Sequence, residues 1–322
     1  MATSDQVQTL IRAHLGQDNE KFKTTVLQIA AYEARRGHMK IASDLKALLE
    51  KSPEFRAKIL QLNNQNQMLL MTTPRERQGD LVASEEIHDR ITRILREFKN
   101  RNKLHQRGLT NRRKILLEGD SGTGKTMTAS IIASELNLLL FTVQMDKLVT
   151  KFMGETSVKL RQIFDSIESI MGVYLFDEFD ARGIDNDVGE MRRVLNSFLQ
   201  FLEQDLSESI IICATNNHRM LDKALFRRFD DVLHYTLPTD DEIVSLYSLK
   251  LSIASPHFVP TVALVENSRS LSHSEIARAC DDAIKTSILN DTEITEKDLL
   301  KLIGERQRVY FKEAEHNKER AV

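Results

Sequence analysis

The chain has 322 residues, 41% hydrophobic and 29% charged, with a formal net charge of −2. That length holds two or three compact units with cores of their own and excludes a disordered chain, and the near-neutral balance argues against a protein-wide basic footprint for nucleic acid. Two cysteines, Cys213 and Cys280, supply no disulfide framework and fit a reducing, cytoplasmic setting. The first residues lack the pattern of a signal peptide, and no window reaches eighteen consecutive apolar residues, so no membrane span is expected. The absence of an H-E-x-x-H pattern means that any proteolysis would need a partner protein.

Along the first fifty residues apolar positions recur at helical spacing: Val7, Leu10, Ile11 and Leu15; Phe22, Val26, Ile29 and Ala30; Ile41, Leu45, Leu48 and Leu49. Residues 1–52 thus read as a small helical unit, suited to docking a partner or to oligomer contacts, with a structural cap as the plainer alternative. Residues 53–84 read as a linker, polar at 63–67 and broken at Pro74. A helix is predicted from Glu85 to about His105. Residues 90–114 hold ten Lys or Arg against one acid, Glu97. This asymmetry fits either a solvated face near phosphates or contact with an acidic neighbour or polymer.

The most informative segment follows. Residues 114–117 form an apolar run fit for a buried strand, and Gly119, Asp120, Ser121, Gly122, Thr123, Gly124, Lys125 and Thr126 spell the G-x-x-x-x-G-K-[ST] phosphate-binding loop. Met127, Ile131, Ile132 and Leu136 then recur at helical spacing, so the motif stands at a strand–loop–helix junction. The glycines let backbone N–H groups approach phosphates, Lys125 offers an ammonium to the β- and γ-phosphates of ATP, and the Thr126 hydroxyl is placed for Mg²⁺.

Strand-like and helix-like stretches alternate beyond the loop: 138–143, a helix from about 155, 173–176, a helix near 191–206, then 210–214. Alternation of this kind predicts an α/β fold, a parallel sheet with helices on both faces. Beyond Pro238 helices alone are expected, at 240–251, 272–289 and 295–304, as a small helical lid. The predicted division is 1–52, 53–84, 85–238 for the nucleotide-binding domain, 239–312 for the lid, and 313–322 for a charged tail.

Polar residues follow the ends of the predicted strands, the edge where ligands bind in open α/β sheets. After 172–176 come Asp177 and Glu178: the first suits Mg²⁺, the second a water aimed at the γ-phosphate, and an acidic turn is the bland reading. After 210–214 comes Asn216, whose amide suits orientation of that water, or else a turn. Arg227 and Arg228, flanked by Phe226 and Phe229, suit a pre-oriented anion contact, against local ion pairing with Asp230 and Asp231.

These elements, in this order over about residues 80–310, resemble the AAA branch of the AAA+ ATPases. The resemblance implies Asp177 and Glu178 as a Walker B pair, Asn216 as sensor 1, and Arg227 with Arg228 as fingers reaching a neighbour's site. It also implies a homo-oligomeric ring, usually a hexamer. Residues 151–154 resemble the family's pore loop, in which Phe152 and Met153 would grip a polypeptide; spacing alone makes Phe152 a core aromatic. Residues 182–190 resemble a second pore loop or a plain surface loop, and residues 192–196 the start of the family's second region of homology.

The chain also departs from the family. Residues 203–206 stand where a coupling Asp-Gly-Phe usually lies, and Leu271, Ser272, His273, Ser274, Glu275 and Ile276 stand where the family commonly has Ser-Gly-Ala-Asp-Ile. His273 and Ser274 are thereby placed to approach the nucleotide, and no sensor 2 arginine stands out. Adjacent arginines are closer to katanin-like and spastin-like members than to the FtsH-like membrane-bound proteases. The expected activity is ATP hydrolysis coupled to remodelling of protein substrates. A nucleotide-dependent assembly switch for a partner, such as a separate protease, is the alternative, and nucleic-acid remodelling ranks below both.

Overall fold

The computed structural model describes residues 4–15, 19–36, 38, 40–41, 45, 68–148, 155–178, 188–216 and 226–319. Two N-terminal helices, α1 (Ser4–Leu15) and α2 (Asn19–Arg35), coincide with the first two periodic stretches. Most of the third lies outside the described residues. A six-stranded sheet follows, in the order β1-β3-β4-β5-β2-β6: β1 (Leu69–Thr72), β2 (Lys114–Gly119), β3 (Leu140–Val143), β4 (Val173–Phe176), β5 (Ile210–Thr215) and β6 (Asp231–Tyr235). Every pairing is parallel except β1 with β3.

Alternation of side chains across the pleat divides the core in two. Leu116, Phe141, Tyr174, Phe176, Ile211 and Cys213 point to one face, where α7 (Glu155–Ser169) and α8 (Val188–Gln204) cover them with Leu160, Ile163, Phe164, Phe198 and Leu202. Ile115, Leu117, Val173, Leu175, Ile210 and Ile212 point to the other. There α3 (Glu85–Lys99) and α5 (Lys125–Leu136) supply Ile87, Ile91, Ile94, Ile131 and Ile132. The strands are apolar on both faces because helices cover both, as parallel sheets require.

A third core belongs to the helices after Tyr235: α9 (Asp240–Leu251), α10 (Val262–Ser268), α11 (His273–Asn290) and α12 (Glu296–Glu319) enclose Ile243, Tyr247, Leu264, Ile276, Cys280, Leu299 and Ile303. Half-buried Val82 packs against this lid core from the segment before α3.

Some details differ from the sequence expectation. The helix begun at Glu85 stops at Lys99, because Asn100 leaves helical geometry (φ −109°, ψ 15°) and its side-chain amide donates to the Arg96 carbonyl at 2.8 Å. A separate short helix, α4 (Arg101–His105), follows, and another, α6 (Met145–Leu148), comes after β3. Leu69–Thr72, read as connector, forms the antiparallel edge strand, and Asp231–Tyr235 adds a strand at the other edge that sequence reasoning missed.

Candidate nucleotide site

The phosphate loop leaves the C-terminal end of β2, between the carboxyl ends of β5 and β6. Gly119 (φ 144°) runs so close to β6 that a Cβ there would lie 2.1 Å from the Tyr235 carbonyl oxygen. Gly122 is left-handed (φ 77°), and a Cβ on it would stand 2.3 Å from Ser274 Oγ and 2.5 Å from Ser272 Oγ. Only glycine meets both demands. Thr123 Oγ1 donates to the Asp120 carbonyl at 2.7 Å and braces the turn.

Lys125, 6% exposed, opens α5, and its ammonium donates to the Gly119 and Asp120 carbonyls at 2.7 Å each. One residue on, the Thr126 hydroxyl donates to Asp177 Oδ2 at 2.7 Å. Asp177 follows the last residue of β4, and its Oδ1 accepts from the Glu178 N–H at 2.9 Å. Glu178 is exposed and holds a left-handed backbone (φ 49°), uncommon for a side chain of this size and of the kind that concentrates at functional sites. Asn216 stands directly after β5.

These residues share one cavity of about 410 Å³, walled by Ser121–Met127 of the loop and α5, by Asp177, Glu178 and Asn216 from the strand ends, and by the lid. The lid reaches the loop through the first turn of α11: the Ser274 N–H donates to the Gly122 carbonyl at 2.9 Å. His273 lines the same cavity with both ring nitrogens buried and, among the described residues, without a hydrogen-bond partner. Burial holds its pKa below the ordinary value of 6.5, with the Glu242 carboxylate pulling the other way.

Sequence reasoning missed part of this wall. Asp80, Leu81 and Val82 contribute from the segment before α3, Leu246 and Lys250 from α9, and Ala277 and Arg278 from α11. The spacing of 246 with 250, and of 273–274 with 277–278, is that of one helix face. Only docking of the lid turns those faces toward the loop.

The donor set suits a magnesium nucleotide. A hydroxyl and a carboxylate in contact are hard oxygen ligands able to share a small cation, and the buried imidazole, without a partner among the described residues, offers a polar contact to a ligand. Among the described residues no group of three or more His, Cys, Asp or Glu side chains gathers to hold a metal by itself.

Arg227 and Arg228 are not on this cavity. They precede β6, whose first residue, Asp231, pairs with Ile115 near the start of β2, while the phosphate loop lies at its end. Four to five residues of parallel strand separate the two, about 15 Å. The alternative reading, local ion pairing with Asp230 and Asp231, is not found among the described residues either. Asp230 accepts from the backbone N–H groups of Arg113 and Lys114, Asp231 takes Arg90, and Arg228 pairs with Glu203 at the end of α8. Phe152 and Met153 lie outside the described residues, as do residues 182–187. No described helix is long and apolar enough to cross a membrane.

Comparison with known proteins bears on this arrangement. A family model for the "ATPase family associated with various cellular activities (AAA)" matches residues 115–237, from β2 to the end of β6. An "Uncharacterized AAA family ATPase y4kL" of Sinorhizobium fredii is 31% identical over 324 residues, 96% of each chain. A proteasome-activating nucleotidase of Methanococcus vannielii is 28% identical over 81% of this chain and 66% of its own. An ATP-dependent zinc metalloprotease FtsH of Parabacteroides distasonis is 29% identical over 68% of this chain and 34% of its own. With the phosphate loop, the strand-end carboxylates and a full-length relative in agreement, the chain belongs to the AAA family of ATPases and hydrolyses ATP.

Proposed function

We propose that the chain assembles into a ring, a hexamer, that couples ATP hydrolysis to remodelling, unfolding or translocating a polypeptide through a central pore. The observation that carries this reading is the division of the machinery across the sheet. Lys125, Thr126, Asp177, Glu178 and Asn216 meet on one cavity, whereas Arg227 and Arg228 stand at the opposite edge, too far to serve their own site. A second copy set against that edge would receive them. The proteasome-activating and FtsH relatives are named for work on proteins, which favours a polypeptide substrate.

In this reading Lys125 exchanges its two carbonyl partners for the β- and γ-phosphates, while the loop N–H groups and the α5 N-terminus complete the cradle. Thr126 and Asp177 would hold Mg²⁺, which neutralises charge on the transferring phosphoryl group when bound. Glu178 takes the proton of the attacking water, and Asn216 orients that water through its amide. The segment that carries Arg227 and Arg228 in a neighbour brings positive charge to the phosphoryl oxygens as negative charge develops on them. His273 and Ser274 close the lid side, and Phe152 and Met153 contact the polypeptide in the pore. Residues 1–52 dock a partner, and residues 239–312 act as a lid domain that follows the nucleotide state.

Glu178→Gln tests the reading. It is expected to lower ATP turnover by about 10²–10⁴-fold while ATP still binds, and to retain a polypeptide client in a pull-down with ATP. A variant that turns over ATP at the wild-type rate removes Glu178 from the role of base. One that traps ATP and supports every partner-dependent output undiminished makes the chain an ATP-dependent assembly switch instead of a motor.

A further inference from the structure

Arg227 and Arg228 are neighbours in sequence with different surroundings. Arg227 is exposed and, among the described residues, enters no ion pair. Arg228, with 36% of its side chain exposed, is paired through Nη1 with the carboxylate of Glu203.

Both sides of that pair are anchored. Glu203 follows Leu202, which is fully buried in the core, and precedes by two residues the buried Asp205, whose carboxylate holds the Arg113 guanidinium. On the other side Phe229 is buried in the same core as Leu202. Asp230 Oδ2 then accepts from the N–H groups of Arg113 and Lys114 at 2.9 Å each, and the Asp230 N–H donates to the Lys114 carbonyl at 2.7 Å. The arginine segment is therefore gripped between the end of α8 and the first residue of β2, the strand whose other end carries the phosphate loop.

Charge decides which arginine is fit to meet a phosphoryl group. A guanidinium that stabilises a developing negative charge must bring an uncompensated positive charge. Arg228 would arrive with the Glu203 carboxylate beside it, repelling the phosphates, or would have to break that pair first. Among the described residues Arg227 has no such partner to leave.

We propose that Arg227 is the arginine presented to the neighbouring copy's γ-phosphate, and that Arg228, held by Glu203, is a positioning residue that fixes the turn carrying it. This rests on the reading that the arginines act across a subunit boundary. Glu203 then ties the end of α8 to the arginine segment in the stretch, 203–206, that departs from the family resemblance. The pair is solvent-exposed on both sides, so it orients the segment without being needed for folding.

Steady-state ATPase assays on the full chain, with nucleotide affinity and thermal unfolding measured alongside, test the division. Arg227→Ala is expected to lower kcat by about 10³-fold or more with ATP affinity unchanged. Arg228→Ala and Glu203→Ala are each expected to lower kcat by about two- to five-fold, and the double variant by no more than the larger single effect, since both remove one interaction. Glu203→Asp is expected to restore part of the loss, and unfolding temperatures should stay at the wild-type value. Arg228→Gln keeps much of the length of the side chain while removing the charge that pairs with Glu203, and replaces Arg228→Ala should that variant fail to fold.

A loss in Arg228→Ala as deep as in Arg227→Ala overturns the proposal. So do multiplying effects in the double variant, or wild-type turnover in Glu203→Ala. Mixing Arg227→Ala with Lys125→Ala separates this from the underlying reading. Rescue at mixed interfaces is expected, and no rescue in any ratio removes the action across subunits itself. Rescue together with equal losses at 227 and 228 keeps that action and overturns only the division of labour.

Discussion

His273 is the residue at which this chain's nucleotide cavity is least like a generic phosphate loop. It begins α11, it lines the cavity, and its ring nitrogens are buried without partners among the described residues. Burial depresses its pKa, the Glu242 carboxylate opposing, so the folded protein keeps the ring neutral. The unfolded chain then takes up the proton first, and the sign follows: stability is full above the ordinary value of 6.5 and falls as pH drops from there through the depressed folded value. Thermal melts at a series of pH values are expected to show this slope in the wild type and a shallower one in His273→Asn. Identical slopes would place the titration elsewhere. The sequence marked His273 for the nucleotide side by its place after Ser272, but its burial depends on how the lid sits on Gly122.

Among the elements, α3 and the chain after it carry the strongest local charge, and the structure answers it from distant segments. Arg90 and Arg93 face Asp231 of β6, Arg112 pairs with Glu97, Arg113 with Asp205, and Arg101 with Glu208. Half of the ten basic residues between 90 and 114 therefore face carboxylates of the same chain, which lessens the case for an acidic partner. Asp231 is the centre of this arrangement, with its side chain 8% exposed and Arg90 bonded at 2.8 Å. Asp231→Ala is expected to destabilise the fold by about 1–3 kcal/mol in chemical denaturation, because Arg90 and its neighbours lose a buried acceptor. A change below a few tenths would mean that the arginines find other partners. No local pattern in 90–114 reveals these pairs, since three of the four acids, Asp205, Glu208 and Asp231, lie outside that stretch. The same limit hid β1 and β6. Both are short edge strands: β1 is apolar in sequence but only four residues long, between a polar stretch and Pro74, with three of its residues exposed, and β6 interrupts its apolar residues with His234.

At the scale of the whole molecule, two bodies of apolar packing meet at the nucleotide cavity: the sheet with its covering helices, and the lid. Each holds one cysteine. Cys213 lies in the sheet core, where full burial raises its thiol pKa, and Cys280 lies in the lid core, where burial pushes it up to about 12. Neither thiol should react with an alkylating reagent in native buffer, because the thiolate is the reactive form. With rising denaturant Cys280 is expected to label before Cys213, since the lid core is smaller than the two cores on the sheet. Simultaneous labelling would show a single cooperative unit.

The sequence by itself determined the phosphate loop, the four apolar strands β2, β3, β4 and β5, the strand-end positions of Asp177, Glu178 and Asn216, and the helical character of the lid. Each of these is written in a run of neighbouring residues: a glycine spacing fixed by the approach of backbone to phosphate, an apolar run fixed by burial on both faces, a helical period fixed by one buried side. The tertiary structure alone decided what meets across the fold. It set Thr126 against Asp177, Ser274 against Gly122, Lys250 and Arg278 on the cavity wall, and Arg228 on Glu203, with both arginines at the far edge of the sheet. Those contacts join segments tens to more than a hundred residues apart, and their partners are chosen by strand order and helix docking, which no local pattern encodes.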